Sequence, residues 1–595
     1  MPDTPPTTST PPPPGTTGAP GERASTRRVF LTALVVLVAC VWPFEGEIPN
    51  RYVALTRALV ERRALSIDPD HASTSDKALV EGRYYAAAAP GPSFVAAPAY
   101  GLGLLLGGPW AGVWLATLVL GPLAGATALA AFFRLTARGG RALEDRLWLT
   151  AALGAGTFLL PLATVLYAHA LTCAVAVLAA LACAEARPGP RRAALAGASL
   201  ACLPLCEYTA ALVAAALGLA WVSRLEGDLR ARARAGAWLA LGALGPALAF
   251  AAYHTACFGA PWRTGYGAHA AEGIAVIQAT GVAGFSPPSA RSLWEVTLGT
   301  SRGLFVFAPA VAVAALASLR RPADPEDRRQ LALAWGLGVT FLLLHAGRAG
   351  DWYAGFSWGP RYQAAALPFW LAPLASRARP AWASAGVRLA AVAGGLVAAL
   401  GLGTRWPQTL DAAWRQATTF GLQVKWVPTL FGAGRGYDPA DAERWTGPVL
   451  LGSTAIFAAA SLTVLLLWRG HPGAPRRDRW LAGGLGLLAA LQLSAWSSSR
   501  GRETALRAYL RDRELISFVW HFDAPENFPV AADLALRHEL REEAARLARR
   551  GLALAPGDER CRLLLALAEG DRPALASLAQ DARDPEVRAR ARRGR

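Results

Sequence analysis

The sequence predicts an all-α protein that crosses a membrane many times, and three observations support this class. Hydrophobic residues make up 53% of the 595 residues, and charged residues make up only 17%. A typical soluble protein carries roughly 25% charged residues. Apolar runs of membrane-spanning length recur along most of the chain, and arginines cluster in the polar connections between them. These observations argue against a soluble multidomain protein.

The net charge of +18 does not by itself indicate binding to nucleic acid. Nucleic-acid-binding proteins concentrate Lys and Arg on one solvated face. Here the basic residues are almost all Arg and fall in short groups between apolar runs. The 7 cysteines lie almost entirely inside apolar runs, without the spacing of metal ligands. We therefore expect no nucleic-acid partner, no disulfide framework and no zinc site.

Segment 1–28 is rich in Pro and Thr and predicts a disordered cytoplasmic tail. A membrane domain over residues 29–497 is expected to follow, with about 13 helices of the length that a ~30 Å hydrocarbon core requires. The candidate spans are 29–44, 110–133, 147–163, 169–185, 193–206, 208–222, 235–257, 303–319, 330–347, 361–376, 388–404, 447–468 and 480–497.

A further apolar run, 93–107, is either another span or a helix that lies along the membrane surface. If it does not cross the membrane, the Arg-rich connections all fall on the side of the N-terminus, as the positive-inside rule requires. We therefore predict a juxtamembrane helix at 93–107, a cytoplasmic N-terminus and a first outer loop at 45–109. The expected location is a plasma or inner membrane of bacterial type.

The C-terminal region, 498–595, follows an odd number of spans and is expected to be extracytoplasmic. From about Val530 its sequence is helical and resembles a tetratricopeptide repeat, although it covers little more than one repeat. A solvated helical appendage and a module that binds a protein partner are both consistent with this pattern.

Several polar residues lie at the predicted outer ends of the spans, where their burial in the membrane would be costly. Glu207 is the clearest case, because it interrupts an otherwise continuous apolar stretch. This distribution favours a substrate cavity on the outer side. The residues concerned are His169, Glu207, His254, His345, Arg348, Asp351 and Arg361.

The first outer loop contains an ordered set of motifs. Acids follow the first span, a short amphipathic helix comes next, and Asp-Lys, Gly-x-Tyr-Tyr and Ala-Pro-Gly precede the next apolar helix. This order resembles the first outer loop of the GT-C superfamily, specifically the bacterial relatives of protein O-mannosyltransferases and lipid A aminoarabinose transferases. Later segments around Arg302 and Arg361 are similar to outer-loop motifs of the same proteins. The motif residues are Glu45, Glu47, Arg51, Asp76, Lys77, Tyr84, Tyr85, Ala89, Pro90 and Gly91.

The resemblance implies a GT-C-like fold and an inverting transfer of a sugar from a polyprenyl-phosphate-linked donor, a membrane lipid, to an acceptor that is a protein, lipid or glycan. Such a reaction requires a base for the acceptor hydroxyl and cations for the phosphate leaving group. Glu47 and Glu45 are the predicted bases. The predicted substrate and phosphate ligands are Arg51, Lys77, Asp76, Tyr84, Tyr85, His169, Glu207, Arg302, Asp351 and Arg361.

Asp68-Pro-Asp70 is similar to the Asp-x-Asp metal motif of oligosaccharyl transferases in the same superfamily. An Asp-Pro step is more often a turn, so we expect no metal cofactor. Two other functions fit the same sequence. Membrane-embedded Glu207 and the histidines could serve a transporter or flippase for a lipid-linked or small polar substrate. A non-catalytic assembly protein could instead recruit a protein partner through its C-terminal helices.

Overall fold

The computed structural model describes most of the chain and confirms the all-α class. Among these residues, one two-stranded antiparallel sheet interrupts the helices; its strands are β1 (Lys77–Val80) and β2 (Arg83–Ala86). The described residues are 20–43, 47–270, 272–320, 322–348, 352–376, 378–404, 406, 409–427, 442–469, 492, 527–537 and 540–594.

The helices before residue 260 are α1 (Pro20–Ala39), α2 (Glu47–Arg57), α3 (Gly91–Leu118), α4 (Ala124–Thr136), α5 (Leu143–Leu153), α6 (Leu159–Leu162), α7 (Ala168–Ala182), α8 (Pro190–Cys206), α9 (Ala211–Arg224) and α10 (Leu229–Phe258). Those that follow are α11 (Glu272–Ala279), α12 (Ala290–Thr297), α13 (Leu304–Phe307), α14 (Pro309–Ser318), α15 (Pro325–Ala346), α16 (Leu367–Leu371), α17 (Trp382–Gly403), α18 (Leu410–Phe420) and α19 (Ala442–Trp468).

Within the described part of the chain, 5 helical segments are long and apolar enough to cross a membrane. They are Gly91–Gly139, Leu229–Phe258, Pro325–Ala346, Trp382–Gly403 and Val449–Trp468. Shorter apolar helices cover Ala168–Ala182, Tyr208–Arg224 and Pro309–Ser318. These helices support a membrane protein, while the larger predicted number of spans stays a prediction.

Two of the predicted spans are not single helices. Segment 147–163 is divided between α5 and α6, and segment 361–376 consists of α16 and two flanking 3-10 turns. The first break lies where two backbones cross closely. A Cβ atom on Gly394 of α17 would lie only 2.0 Å from the carbonyl oxygen of Gly156, so a side chain there would not fit. The last predicted span, 480–497, lies outside the described residues except for Gln492.

Helix α1 begins earlier than the predicted end of the tail, since residues 20–28 belong to it. The reason is a contact that the sequence does not show. The guanidinium of Arg146 donates two hydrogen bonds to the carboxylate of Glu22, at 2.9 and 2.6 Å. This pair fixes the first turns of α1 against α5, so residues 20–28 of the predicted tail segment are helical. Residues 1–19 lie outside the described part.

Helix α3 contains a sharp hairpin at Gly107 and Gly108. Gly108 has φ +81°, a left-handed conformation that favours glycine. The two arms pack tightly, because a Cβ on Gly103 would lie 2.4 Å from the carbonyl oxygen of Ala111. Gly91, at the start of α3, contacts the backbone of Leu205, and Gly121, beyond its end, contacts that of Ala163.

Both contacts of the α3 hairpin lie at the same end of the helical bundle. His169, shortly after Ala163, is hydrogen-bonded to Glu207, shortly after Leu205. The chain therefore enters and leaves the hairpin at the same end of the bundle, and the juxtamembrane placement of 93–107 stays a prediction.

The Arg-rich connections meet at the opposite end of the bundle. Each connection contacts another through an Arg side chain, which joins segments 134–146, 184–192, 224–234, 320–329 and 376–388 into one layer. We call this layer the arginine end. The contacts are Arg138 to the Ala184 carbonyl at 2.6 Å, Arg187 to Glu226 at 3.1 Å, Arg224 to Glu326 at 2.9 Å and Arg141 to the Ser376 carbonyl at 2.9 Å.

The C-terminal region contains more helices than one repeat would supply. Two small apolar cores, around Phe528 and Leu575, join its helices. Asp558 and Asp571 each accept a backbone N–H at the start of a helix. The helices are α20 (Asn527–Arg537), α21 (Arg541–Leu554), α22 (Glu559–Glu569), α23 (Arg572–Asp581) and α24 (Pro585–Arg593).

Candidate functional site

A partly open cavity lies at the end of the bundle opposite the arginine end. About 720 Å³ of empty space lies between its walls, and this figure includes solvent at its open side. We call it the outer cavity, because it lies at the end that the sequence predicts to be outer. Its walls carry charged and aromatic side chains from segments that are far apart in sequence. The lining residues are Arg51, Tyr52, Ala88, Ala89, His169, Cys206, Glu207, Tyr208, Thr209, Tyr266, Phe285, Phe341, Leu344, His345, Arg348, Arg361 and Tyr362.

Glu207 and His169 form a hydrogen-bonded pair in the wall of the outer cavity. The chain is extended at Glu207, between the end of α8 and a 3-10 turn, and this break directs the carboxylate away from both helices. His169 lies in the first turn of α7, and its Nδ1 is 3.2 Å from Oε2 of Glu207. Thr209 donates to the other carboxylate oxygen at 3.3 Å. Both predicted residues therefore belong to one site.

Arg51 connects the outer cavity to the first outer loop. It projects from α2, forms a salt bridge with Asp76, and donates to the Tyr52 hydroxyl at 2.9 Å. The other oxygen of Asp76 lies 3.4 Å from Nε2 of His269. Burial alone would raise the pKa of the Asp76 carboxyl, but the charge of Arg51 and the nearby His269 ring hold that pKa well below its ordinary value. Asp76 therefore remains ionised and fixes Arg51.

Arg361 and Arg348 contribute two more guanidinium groups to the outer cavity. Arg361 is 6% exposed and follows a turn at Gly359, whose φ of +69° and close contact with Phe158 require glycine. The Arg361 guanidinium lies 5.1 Å from the Tyr362 ring centre, and that of Arg348 lies 4.9 Å from the same ring. The ring of Tyr362 thus holds two cations beside one another.

Two more histidines lie near the outer cavity and differ in their contacts. His345 lines the cavity and packs edge-on against Tyr362, with ring centres 5.2 Å apart. His254 lies outside the lining, and both of its ring nitrogens are engaged. Its Nδ1 is 2.8 Å from the Phe250 carbonyl oxygen, and its Nε2 accepts from Tyr208 at 3.0 Å. His254 therefore orients Tyr208, which does line the cavity.

Lys77, Tyr84 and Tyr85 do not line the outer cavity; they build the first outer loop. Nζ of Lys77 donates to the His71 carbonyl at 2.6 Å and lies 5.1 Å from the Tyr84 ring centre. Tyr84 stacks on His71, and Tyr85 packs edge-on against Phe258. These three predicted ligands therefore stabilise the loop next to the outer cavity and do not line the cavity itself.

Arg302 also stabilises the fold and does not line the outer cavity. It is 1% exposed, and it donates to the backbone carbonyls of Tyr353, Ser301 and Gly355. These bonds hold the segment that leads to Arg361. Arg302 and Arg361 therefore have different surroundings, although the sequence predicts the same role for both.

Asp68 and Asp70, the weak metal candidates, have protein partners. Asp68 accepts the backbone N–H of Tyr84 at 2.6 Å. Asp70 binds Arg57 at 2.5 Å and Arg62 at 2.7 Å, so guanidinium groups occupy both of its oxygens. Across the described residues, no group of three or more His, Cys, Asp or Glu side chains is arranged to hold a metal ion. The prediction of no metal cofactor stays a prediction.

The predicted bases are only partly described. Glu47 is the first residue of α2, one helical turn before Arg51, and its side chain lies outside the described part. Glu45 and Asp351 also lie outside it. Their predicted roles stay predictions.

Several aromatic residues that line the outer cavity were not predicted from the sequence. Tyr52 and Tyr208 directly follow two selected residues, Arg51 and Glu207, so adjacency was an available signal. Tyr266 and Phe285 come from the segment between α10 and α13; Tyr266 ends a Thr-Gly-Tyr phrase that resembles an outer-loop motif of the same family, and no local pattern marks Phe285. Burial raises the pKa of the Tyr266 hydroxyl, which therefore remains protonated at neutral pH.

A scan against protein-family models found no matching family, and searches of curated proteins and of solved structures found no match. The geometry of the outer cavity therefore carries the functional argument.

Proposed function

We propose that the protein is a membrane glycosyltransferase of GT-C type that moves a sugar from a polyprenyl-phosphate-linked donor to an acceptor at the outer face of the membrane. The observation that carries the proposal is the convergence of Arg51, Arg348 and Arg361 on one cavity that also contains Glu207 and His169. These residues come from four separate parts of the chain.

Three guanidinium groups in one partly buried cavity call for an anionic ligand. Arg51 is held in place by its salt bridge with Asp76, and Arg348 and Arg361 both lie against the ring of Tyr362. Guanidinium groups bind phosphate oxygens in a planar, bidentate manner, and such charge-assisted hydrogen bonds are strong. A lipid phosphate would supply the anion, and the same cations would stabilise it as a leaving group.

The cavity also has walls that suit a sugar and a lipid. Tyr208, Tyr266 and Tyr362 offer ring faces and hydroxyls, the combination found in small-molecule sites. At the end of α15, Leu344 faces the cavity, while Leu343 is exposed on the outside of the bundle. At this point α15 alone separates the cavity from the outside of the bundle, where the exposed Leu343 is suited to contact lipid.

We also propose the orientation expected from the sequence, with about 13 spans, a cytoplasmic N-terminus and an extracytoplasmic C-terminal region. The gathering of Arg-rich connections at one end supports it, because such connections remain cytoplasmic. An alkaline phosphatase fused after Ser497 should be active, whereas one fused after Arg141 should be inactive. The reverse result would contradict this orientation.

The transfer proposal is tested with purified protein in lipid nanodiscs. A panel of radiolabelled undecaprenyl-phosphate sugars is supplied with a membrane extract as the acceptor source, and release of undecaprenyl phosphate is measured. We expect turnover of at least one donor. The variant Glu47→Gln then tests the predicted base, and Glu45→Gln follows if turnover persists.

A transporter or flippase is the alternative that this experiment separates. Such a protein would move a labelled lipid-linked sugar across a liposome membrane without cleaving it. Transbilayer movement with an intact donor would contradict the transfer proposal, and so would the absence of donor cleavage with every sugar.

A further inference from the structure

We infer that His169 is the proton acceptor of the transfer reaction and that Glu207 positions it. This inference rests on the proposed function and assigns to a carboxylate-histidine pair the role that the sequence predicts for Glu47 or Glu45. The pair lies in the wall of the outer cavity, with Nδ1 of His169 and Oε2 of Glu207 3.2 Å apart.

The hydrogen bond defines which nitrogen of His169 is basic. An ionised carboxylate only accepts hydrogen bonds, so Nδ1 carries the proton of the neutral ring and Nε2 keeps a lone pair. Thr209 fixes the carboxylate from its other oxygen, and the Tyr167 ring packs edge-on against the imidazole at 6.0 Å. The ring is therefore held in one orientation and one tautomer, as in other carboxylate-histidine pairs.

The basic nitrogen has no protein partner among the described residues. His169 is 3% exposed, and Nε2 is buried without a hydrogen bond in that part of the chain. A buried nitrogen without a hydrogen bond destabilises the protein. A hydroxyl of a ligand in the outer cavity would remove this destabilisation by donating to Nε2.

The other described histidines near the site lack this combination. Both nitrogens of His254 have partners, and no carboxylate is recorded as a partner of His345 among the described residues. His269 has Asp76 as a partner but does not line the cavity. Among the described histidines, His169 alone combines a carboxylate on one nitrogen, a second nitrogen without a hydrogen bond and a place in the cavity wall.

With His169 as the proton acceptor, each bond and each proton of the transfer step is accounted for. The acceptor hydroxyl oxygen attacks the anomeric carbon and forms a new C–O bond. The bond from that carbon to the phosphate oxygen breaks, and its electron pair leaves with the polyprenyl phosphate. The hydroxyl proton moves to Nε2 of His169, and the resulting imidazolium later loses it to water. Glu207 stabilises the imidazolium, which the neighbouring cations Arg51 and Arg361 would otherwise disfavour.

The test uses the nanodisc assay with the donor that the wild type cleaves. His169→Gln should lower the turnover rate by about 100- to 10,000-fold, the usual contribution of a general base. Binding of undecaprenyl phosphate should persist, because the phosphate ligands are unchanged. Turnover at the wild-type rate in His169→Gln overturns the inference, and so does loss of turnover in Glu47→Gln while His169→Gln stays active.

Glu207→Gln supplies a second variant with a separate readout. We expect a rate loss of about 100-fold and a shift of the acidic limb of the kcat/KM profile to lower pH. The shift follows because the amide no longer stabilises imidazolium against Arg51 and Arg361. A purely structural role would lower the rate without moving the limb, and an unmoved limb overturns the inference.

Glu185→Gln is the matched control, since its carboxylate binds Arg192 at the arginine end, 3.2 Å away. It should leave both the rate and the limb unchanged. If the wild type cleaves no donor, the proposed function fails and this inference falls with it. If the wild type and His169→Gln are equally active, only this inference fails.

Discussion

The two ends of the helical bundle use the same residue type in different ways. At the arginine end, guanidinium groups are occupied by nearby acids and backbone carbonyls; Arg379, for example, binds Asp145 at 3.0 Å and the Leu374 carbonyl at 2.6 Å. At the outer cavity, Arg348 and Arg361 lie beside aromatic rings and border open space. Arginine thus joins the connections at one end, and at the other end it lines the cavity in which we propose that a ligand binds.

This difference also bears on the choice between an enzyme and a transporter. Alternating access requires both ends of a substrate path to open. At the arginine end, Arg146 joins α5 to α1, and Arg141 joins the start of α5 to the turn after α16. These contacts cross between helices and would have to break in each cycle. These contacts favour the proposed reaction at one surface over a path through the bundle.

The largest expected effect is the loss of stability when an arginine of the arginine end is removed. Arg146→Ala removes the two hydrogen bonds that the Glu22 carboxylate accepts. It also removes the donor to the Phe133 carbonyl oxygen. Removing one partner of a buried pair costs about 3–5 kcal/mol. We expect a lower yield of folded protein and a lower midpoint of thermal unfolding in detergent.

The exposed pair of Arg187 and Glu226 supplies the control for Arg146→Ala, because both side chains are mostly solvent-accessible. Arg187→Ala should change the midpoint only slightly, since exposed pairs contribute about 0–1 kcal/mol. An unfolding midpoint equal to that of the wild type in Arg146→Ala would show that the arginine end does not stabilise the fold.

The next effect concerns the acid that connects the first outer loop to the outer cavity. Asp76→Asn should destabilise the protein by about 2 kcal/mol at neutral pH, as expected for a carboxyl whose pKa is held low by a salt bridge. The pKa of Asp76 is lower in the folded protein than in the unfolded chain, where it is about 3.9. Its stabilising contribution is therefore complete above about pH 4 and decreases as the pH falls further.

Thermal unfolding of the wild type and Asp76→Asn between pH 7 and pH 3 measures this contribution. The difference between their midpoints should become smaller on the acidic side. Glu81, exposed in the turn of the same β hairpin, gives the matched control, and Glu81→Gln should unfold at nearly the same midpoint as the wild type at neutral pH. A difference that grows with acidity would contradict the assigned state of Asp76.

The fold class and part of the outer cavity could be predicted from sequence, because both depend on the contrast between apolar runs and the polar residues that interrupt or end them. Glu207 and His169 are identifiable as polar residues at the ends of apolar runs, and the outer cavity brings them together with Arg51 and Arg361. The breaks in segments 147–163 and 361–376 could not be predicted, because an interrupted and a continuous helix bury the same apolar residues. Close backbone contact at Gly156 decides the first case.

The separate roles of similar residues were also beyond sequence reasoning. Arg302 and Arg361 both belong to outer-loop motifs, yet the carbonyls of Tyr353 and Gly355 engage Arg302 and remove it from the cavity. Lys77 differs from its surroundings in residue type, but the carbonyl of His71 holds its ammonium inside the loop. Such assignments depend on long-range contacts that no local motif records.

The smallest expected effect tests the outer cavity with a conservative change. Arg361→Lys keeps the positive charge but loses the planar fork that binds two phosphate oxygens at once. We expect affinity for undecaprenyl phosphate, measured with the purified protein in nanodiscs, to fall about tenfold, or about 1.4 kcal/mol, with little change in the unfolding midpoint. The matched variant at the arginine end is Arg379→Lys, which should lower the midpoint and leave the affinity unchanged, because Arg379 binds Asp145 and Leu374 rather than a ligand. If both variants change stability and neither changes affinity, the two ends do not differ in the way proposed.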